Sequence, residues 1–101
     1  MGKIPIALQL YSVRGECEKN LPAALKSVAE LGYVGVEPWG YNGEKLDWLG
    51  FSGPEIRSIL DDNGLTCCGM HLTTGALLGN NLGRTIELNH QLGNRFLITL
   101  R

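Results

Sequence analysis

A repeated unit of amphipathic helix, glycine and short apolar strand limits the fold of this sequence more than any other feature. Three amphipathic segments end at Gly32, Gly64 and Gly93, and a short apolar segment follows each of these glycines. The glycines recur about every 30 residues, which is the length of one strand-and-helix unit. Residues 4–9 add a strand before the first helix. This alternation predicts an α/β fold with a parallel sheet and right-handed crossovers.

The predicted helices carry local signals for where they start and stop. Asn20 is a suitable N-cap for the first helix, and Ser52 with Glu55 forms a capping box at the start of the second. The predicted helices span 23–31, 55–63 and 84–92, and the strands that follow them span 33–37, 65–71 and 94–100. Three apolar residues are expected on the buried face of the third helix: Leu82, Ile86 and Leu92.

Polar residues end three of the predicted strands. A small, an apolar and a polar residue follow one another in Ala7-Leu8-Gln9, in Gly35-Val36-Glu37 and in Gly69-Met70-His71. Because side chains alternate across a strand and parallel strands end at the same edge, Gln9, Glu37 and His71 are expected in one layer. Ligands of α/β proteins bind at this edge. The sequence therefore predicts a small-molecule site there.

The same alternation assigns further residues to faces of the strands. Tyr11 and Trp39 continue the faces of Gln9 and Glu37, so we predict that they form walls of the site. On the third strand, Cys67 is expected on the face of His71, and Cys68 on the opposite face. In the last strand, Leu97, Thr99 and Arg101 are expected to share one face. Purely structural roles stay open: a surface carboxylate for Glu37, a packing role for Tyr11 and Trp39, and a satisfied structural histidine at His71.

Composition and charge narrow the function classes. The 101 residues include nine basic and ten acidic side chains, a formal charge of −1, whereas nucleic-acid binding usually needs a basic excess. No segment reaches the roughly 20 apolar residues of a membrane span, and no signal-peptide pattern precedes the first strand. We therefore predict a cytoplasmic protein without nucleic-acid or membrane partners. Dinucleotide and P-loop motifs are missing, and three cysteines without CxxC spacing disfavour a disulfide framework or a zinc knuckle.

Two stretches of the chain resemble the sugar phosphate isomerase/epimerase family of xylose isomerase-like TIM barrels. Residues 6–14, IALQLYSVR, resemble the first strand of these barrels, and residues 28–37, VAELGYVGVE, resemble their first helix-to-strand junction. Residues 69–71, GMH, are similar to the end of their third strand. The resemblance implies a parallel TIM-barrel type fold in which residues 1–101 are the N-terminal half barrel, because a full barrel takes roughly 250 residues.

The resemblance also implies an activity. Isomerases and epimerases of this family move a proton next to a carbonyl of a small-molecule sugar or sugar phosphate, assisted by a divalent metal such as Mn, Mg, Co or Zn. Their principal metal ligands lie on the last four strands, which have no counterpart in residues 1–101. The endonuclease IV branch uses a third-strand histidine as a zinc ligand, so His71 is the one candidate ligand. The implied substrate-binding residues are Gln9, Tyr11, Glu37, Trp39 and His71.

Two other functions stay open at this point. One is an endonuclease IV-like DNA repair enzyme on the same fold, which the lack of a basic excess disfavours. The other is a non-catalytic barrel fragment or assembly module. Four strands leave two unpaired sheet edges, so we expect self-association or a complementary half barrel. The chain alone is predicted to be inactive until its barrel is completed.

Overall fold

Strands and helices alternate along the part of the chain that the computed structural model describes, residues 4–99. In chain order the elements are β1 (Ile4–Gln9), a 3₁₀ turn (Leu10–Val13), α1 (Arg14–Lys19), α2 (Leu21–Glu30), β2 (Tyr33–Glu37), β3 (Asp47–Trp48), β4 (Phe51–Ser52), α3 (Gly53–Asp62), β5 (Thr66–Cys67), β6 (Met70–Leu72), a second 3₁₀ turn (Thr74–Leu77), α4 (Asn81–Leu92) and β7 (Leu97–Thr99). Within residues 4–99, every helix is too short or too polar to cross a membrane.

The strands of the main sheet run parallel and follow one another in chain order. β1 pairs with β2, β2 pairs with β5, and β6 pairs with β7. β5 and β6 are two halves of one interrupted strand. β5 pairs with β2, and the segment that follows β2 runs beside β6. There the backbone N–H of His71 donates to the carbonyl oxygen of Pro38 at 2.9 Å. The predicted α/β fold with a parallel sheet is therefore confirmed.

The apolar core lies between the sheet and the helices α2, α3 and α4. Its buried members include Leu25, Val28, Ile56, Leu60, Leu88 and Leu92 from the helices and Val36, Met70 and Leu72 from the sheet. The opposite face of the sheet carries mostly small residues, and we call Ala7, Gly35, Cys68 and Gly69 the inner face. A Cβ atom on Gly35 would collide with the Sγ of Cys68 and lie 3.3 Å from the Cβ of Ala7. The lack of a side chain at Gly35 thus makes room for its neighbours on the inner face.

The capping signals read from the sequence are present in the structure. The side chain of Asn20 accepts a hydrogen bond from the backbone N–H of Ala23 at 3.1 Å. Ser52 and Glu55 form the reciprocal bonds of a capping box, at 2.8 and 3.2 Å. The start of each predicted helix lies two or three residues too late, because the first turn of a helix needs no apolar periodicity of its own.

The chain between β1 and α2 differs from the prediction. The predicted strand of residues 4–9 is confirmed as β1, but Tyr11, which was expected to continue the face of Gln9, lies in the 3₁₀ turn. The short helix α1 that follows this turn was not predicted. Leu10 is buried although it lies in this turn, so its apolar side chain is no evidence that it belongs to a strand. The β3–β4 hairpin was also not predicted. Leu49 and Gly50 connect its strands with φ of 53° and 82°, and such left-handed pairs suit two-residue hairpins.

Two predictions about the buried face of α4 are wrong. Leu82 and Ile86 were expected to be buried, yet both are exposed, and the buried face of α4 includes the polar residues Thr85 and Asn89. These two side chains are buried because they hydrogen-bond inside the protein, Thr85 to the carbonyl oxygen of Ala76 at 2.8 Å and Asn89 to that of Thr85 at 2.8 Å. The third predicted member of this face, Leu92, is buried.

Leu97 and Thr99 share one face of the last strand, as predicted, but it is the helix side and not the face that carries His71. Ile98 pairs with His71 and points towards the inner face, since its Cδ1 atom would lie 3.3 Å from a Cβ on Gly69. Leu97 and Thr99 pair with the buried Met70 and Leu72 and therefore face the helix side of the sheet. Arg101, which was predicted to share their face, lies outside the described residues.

Candidate functional site

Three polar side chains meet at the carboxyl ends of neighbouring strands. Gln9 and Glu37, the last residues of β1 and β2, are paired in the register of these strands. His71 reaches the same place from β6, and its Nε2 atom lies 3.3 Å from the Oε1 atom of Glu37. The side chain of His71 is only 14% exposed and that of Glu37 28%. The structure therefore brings the predicted polar layer together in a half-buried position.

His71 reaches this layer through a β-bulge that the alternation rule did not predict. Cys68 and Gly69 are consecutive, yet both face the inner side: the Cys68 thiol lies against Gly35, and a Cβ on Gly69 would lie 3.5 Å from Oε2 of Glu37. Two successive residues on one face shift the alternation by one position. The prediction for the cysteines is therefore wrong, because Cys67 packs in the core and Cys68 is exposed on the inner face.

A cleft of about 500 Å³ opens beside this layer. Four of the five predicted site residues line it, and four further residues complete the wall: the full set is Gln9, Tyr11, Trp39, Gly40, His71, Leu72, Thr73 and Thr74. Glu37 stands behind His71 and does not line the cleft. Sequence reasoning missed Thr73 and Thr74, although they directly follow the strand that carries His71. The strand-end rule that selected His71 would also have found them.

Two aromatic residues form one wall of the cleft. The rings of Tyr11 and Trp39 meet edge to face, with centroids 6.1 Å apart. Trp39 is held from behind by Trp48, whose ring centroid lies 5.0 Å away and whose Nε1–H donates to the carbonyl oxygen of Trp39 at 2.9 Å. The Arg14 guanidinium lies 4.2 Å from the centroid of the Tyr11 ring. Tyr11 therefore joins the site from a turn rather than from the predicted strand, and Trp39 from the loop after β2.

The hydrogen bonding of His71 leaves one ring nitrogen without a partner. Glu37 accepts from Nε2 when that nitrogen carries the proton, and Nδ1 then presents a lone pair. Nδ1 is buried and has no hydrogen-bond partner among the residues that the structure describes. A buried polar atom without a partner costs about 1–3 kcal/mol. Because Nδ1 is buried, a ligand hydroxyl can donate to it only after a movement of the surrounding side chains uncovers this atom.

The residues present do not form a complete centre for the divalent metal that the family resemblance implies. Glu37 and His71 supply one carboxylate and one imidazole in contact, but residues 4–99 contain no group of three potential ligands among His, Cys, Asp and Glu. A catalytic zinc takes three protein ligands. Two of the cysteines are also unsuited, since burial raises the pKa of Cys17 to about 11 and that of Cys67 to about 12.

The fold and the site define a class of protein: a parallel α/β protein that gathers polar side chains at the carboxyl ends of its strands. Within that class, the chain is similar to the solved structure of a sugar phosphate isomerase/epimerase from Parabacteroides distasonis ATCC 8503, with a TM-score of 0.77 and 23% identity. The match covers 100% of this chain and 40% of that one. No family model matches the sequence, and no curated protein matches it at significance. The likeness confirms, at the level of fold, the resemblance indicated by residues 6–14 and 28–37.

Proposed function

We propose that the cleft binds a polyhydroxylated substrate, a sugar or sugar phosphate, in a protein that isomerises or epimerises it. The observation that carries this proposal is the contact of Glu37 with His71 at 3.3 Å, next to Gln9 and beside an aromatic wall. Such a group offers acceptors and donors to several hydroxyls at once. The aromatic faces of Tyr11 and Trp39 cover the apolar C–H surface of a sugar ring.

Each polar residue has a defined role in this proposal. His71 lines the cleft, and its unpaired Nδ1 accepts a substrate hydroxyl once a side-chain movement uncovers this buried atom, while Glu37 fixes the orientation of the imidazole ring from behind. Gln9 lines the cleft directly and orients a second hydroxyl through its amide. These residues bind and position the substrate. Proton transfer next to the carbonyl, and metal assistance to it, belong to groups beyond the pair formed by Glu37 and His71.

We also propose that activity requires partners for the outer strands. Ile6 on β1 is 57% exposed and Leu97 on β7 is 41% exposed, although both are strand residues with large apolar side chains. Unpaired parallel strands with apolar side chains favour pairing with further strands. A second copy of this chain or a complementary half barrel supplies them. Sedimentation velocity of the chain at several concentrations tests self-association, and a concentration-independent monomer that binds substrate with full activity contradicts it.

Binding is tested by NMR titration of the chain with D-xylose, D-ribulose, D-ribose 5-phosphate and D-fructose 6-phosphate. We expect shifts of the Trp39 indole and His71 ring signals with at least one probe. Glu37→Gln removes the charge that orients His71, so we expect roughly 10- to 100-fold weaker binding, the loss of a charged hydrogen bond. Glu30→Gln on the exposed side of α2 is the matched control. Unchanged affinity in Glu37→Gln, or no binding by the wild type, contradicts the proposal.

The chemical step is tested separately with the completed protein. In D₂O, proton abstraction next to the carbonyl replaces that hydrogen of the sugar with deuterium, and ¹H NMR follows the loss of its signal. We expect exchange for the probe that binds and a slower rate in Glu37→Gln. Binding without any exchange would limit the site to recognition of sugars.

A further inference from the structure

Both loops that flank the cleft are fastened to the start of α4. The loop after β2, residues 38–46, contributes Trp39 to the cleft, and the loop after β6, residues 73–80, contributes Thr73. The helix itself does not line the cleft. Three of its side chains nevertheless hydrogen-bond to backbone carbonyl groups of these loops, and we call them the loop clamp: Asn81, Arg84 and Thr85.

The loop clamp forms a continuous chain of hydrogen bonds from one loop to the other. The Nε–H of Arg84 donates to the carbonyl oxygen of Gly43 in the first loop at 2.7 Å. A second guanidinium nitrogen of Arg84 donates to the side-chain oxygen of Asn81 at 2.7 Å. The amide nitrogen of Asn81 then donates to the carbonyl oxygen of Gly75 in the second loop at 3.1 Å. Arg84 is thus the side chain of this chain of bonds that joins the first loop to α4. The two loops also meet directly, where the backbone N–H of Thr73 donates to the carbonyl oxygen of Tyr41 at 3.1 Å.

Packing reinforces this chain of hydrogen bonds. Gly43 is buried against α4, where a Cβ atom on it would lie 2.8 Å from the Cβ of Asn81 and 2.8 Å from the Oγ1 of Thr85. The Thr85 hydroxyl is itself buried and donates to the carbonyl oxygen of Ala76 in the second loop at 2.8 Å. Hydrogen bonds with a charged donor in a half-buried position are among the stronger ones in proteins.

We propose that Arg84 is a positioning residue of the cleft. It fastens the first loop to α4 next to the second loop, and so raises the affinity for a polyhydroxylated ligand that it does not touch. The affinity part of this inference rests on the proposed function. Displacing a binding wall by about 1 Å is enough to weaken a site greatly. Loss of Arg84 leaves the carbonyl oxygen of Gly43 and the side-chain oxygen of Asn81 without this donor.

Hydrogen–deuterium exchange of the ligand-free chain tests the fastening of the loops. Arg84→Ala is expected to speed exchange in residues 38–46 roughly 10- to 100-fold and in residues 73–80 by less, because Asn81 and Thr85 still bond to the second loop, while α2 keeps its protection. Arg84→Lys, which keeps a donor towards Gly43, is expected to restore part of the protection. The matched control is Arg57→Ala, since Arg57 forms an exposed ion pair with Asp61 on α3. Unchanged loops in Arg84→Ala, or an equal rise in every segment, would overturn the proposal.

Titration with the four sugar probes tests the effect on affinity. For a probe that the wild type binds, we expect Arg84→Ala to raise Kd at least fivefold and Arg57→Ala to leave it unchanged. Equal affinities of Arg84→Ala and the wild type would refute the positioning role. If no probe binds the wild type, the proposed function fails, whereas the exchange result still decides whether Arg84 fastens the loops.

Discussion

The packing of the first loop, residues 38–46, against α4 can be tested with the substitution Gly43→Ala, which adds one methyl group to the loop. Gly43 and Gly40 lie in the same loop with φ of 78° and 69°, so alanine suffers left-handed strain of about 1–2 kcal/mol at either position. Alanine also restricts the unfolded chain, which returns about 0.4–1 kcal/mol. At Gly40 nothing lies within 4 Å of the added Cβ, but at Gly43 it lies 2.8 Å from two atoms of α4. Overpacking of this kind costs about 1–3 kcal/mol more.

Urea unfolding followed by tryptophan fluorescence measures this difference. We expect Gly40→Ala to lower the free energy of unfolding by about 1 kcal/mol and Gly43→Ala by about 2–4 kcal/mol. With a slope of about 1–3 kcal/mol per molar urea, the two midpoints differ measurably. Equal destabilisation by both substitutions would show that the loop does not rest on α4, and it would remove the packing argument for the loop clamp.

Two further predictions concern titratable groups. A thiol reagent at about pH 8 is expected to modify Cys68 first, because Cys68 is exposed whereas burial raises the pKa of Cys17 to about 11 and of Cys67 to about 12. Peptide mapping that finds Cys67 labelled before Cys68 would contradict the bulge. Hydrogen bonds from Ser52 lower the pKa of Glu55 below 4.5, so its contribution to stability is present above that pH and is lost as the pH falls through the folded-state pKa. The stability difference between wild type and Glu55→Gln should therefore be smaller at about pH 3 than at about pH 6, and a constant difference would refute this.

The alternation of the parallel strands with helices α2, α3 and α4 was predictable because local signals mark it, whereas α1 and the β3–β4 hairpin were not predicted. A helix N-cap needs only one side chain and a neighbouring backbone N–H, so Asn20 and Ser52 are readable without knowledge of the fold. The polar strand ends were readable for a similar reason, since equal positions on parallel strands meet at one edge. Gln9 and Glu37 are therefore paired as expected.

The remaining features depend on partners that are distant in sequence. The bulge at Cys68 and Gly69 is determined by the pairing of this strand with β2 and β7. The alternation of apolar and polar residues in the sequence does not predict it. The buried face of α4 was misassigned because side-chain hydrophobicity alone predicts that Ile86 is more buried than Thr85. Thr85 is buried because its hydroxyl has the carbonyl oxygen of Ala76 as a partner. The aromatic wall of the cleft likewise depends on the packing of Trp39 against Tyr11 and Trp48, which no local sequence motif predicts.

The bulge lets the third strand vary in length by one residue without losing its chemistry. Deleting Gly69 would remove the second of two consecutive residues on the inner face, so Cys68, Met70 and His71 would alternate regularly and the imidazole would stay opposite Glu37. A strand of the present length without the bulge would do the opposite: counted from the buried Cys67, regular alternation would turn His71 towards the helices and place the thioether of Met70 opposite the carboxylate. A homologue with one residue fewer at this point is therefore expected to keep the imidazole in the same place.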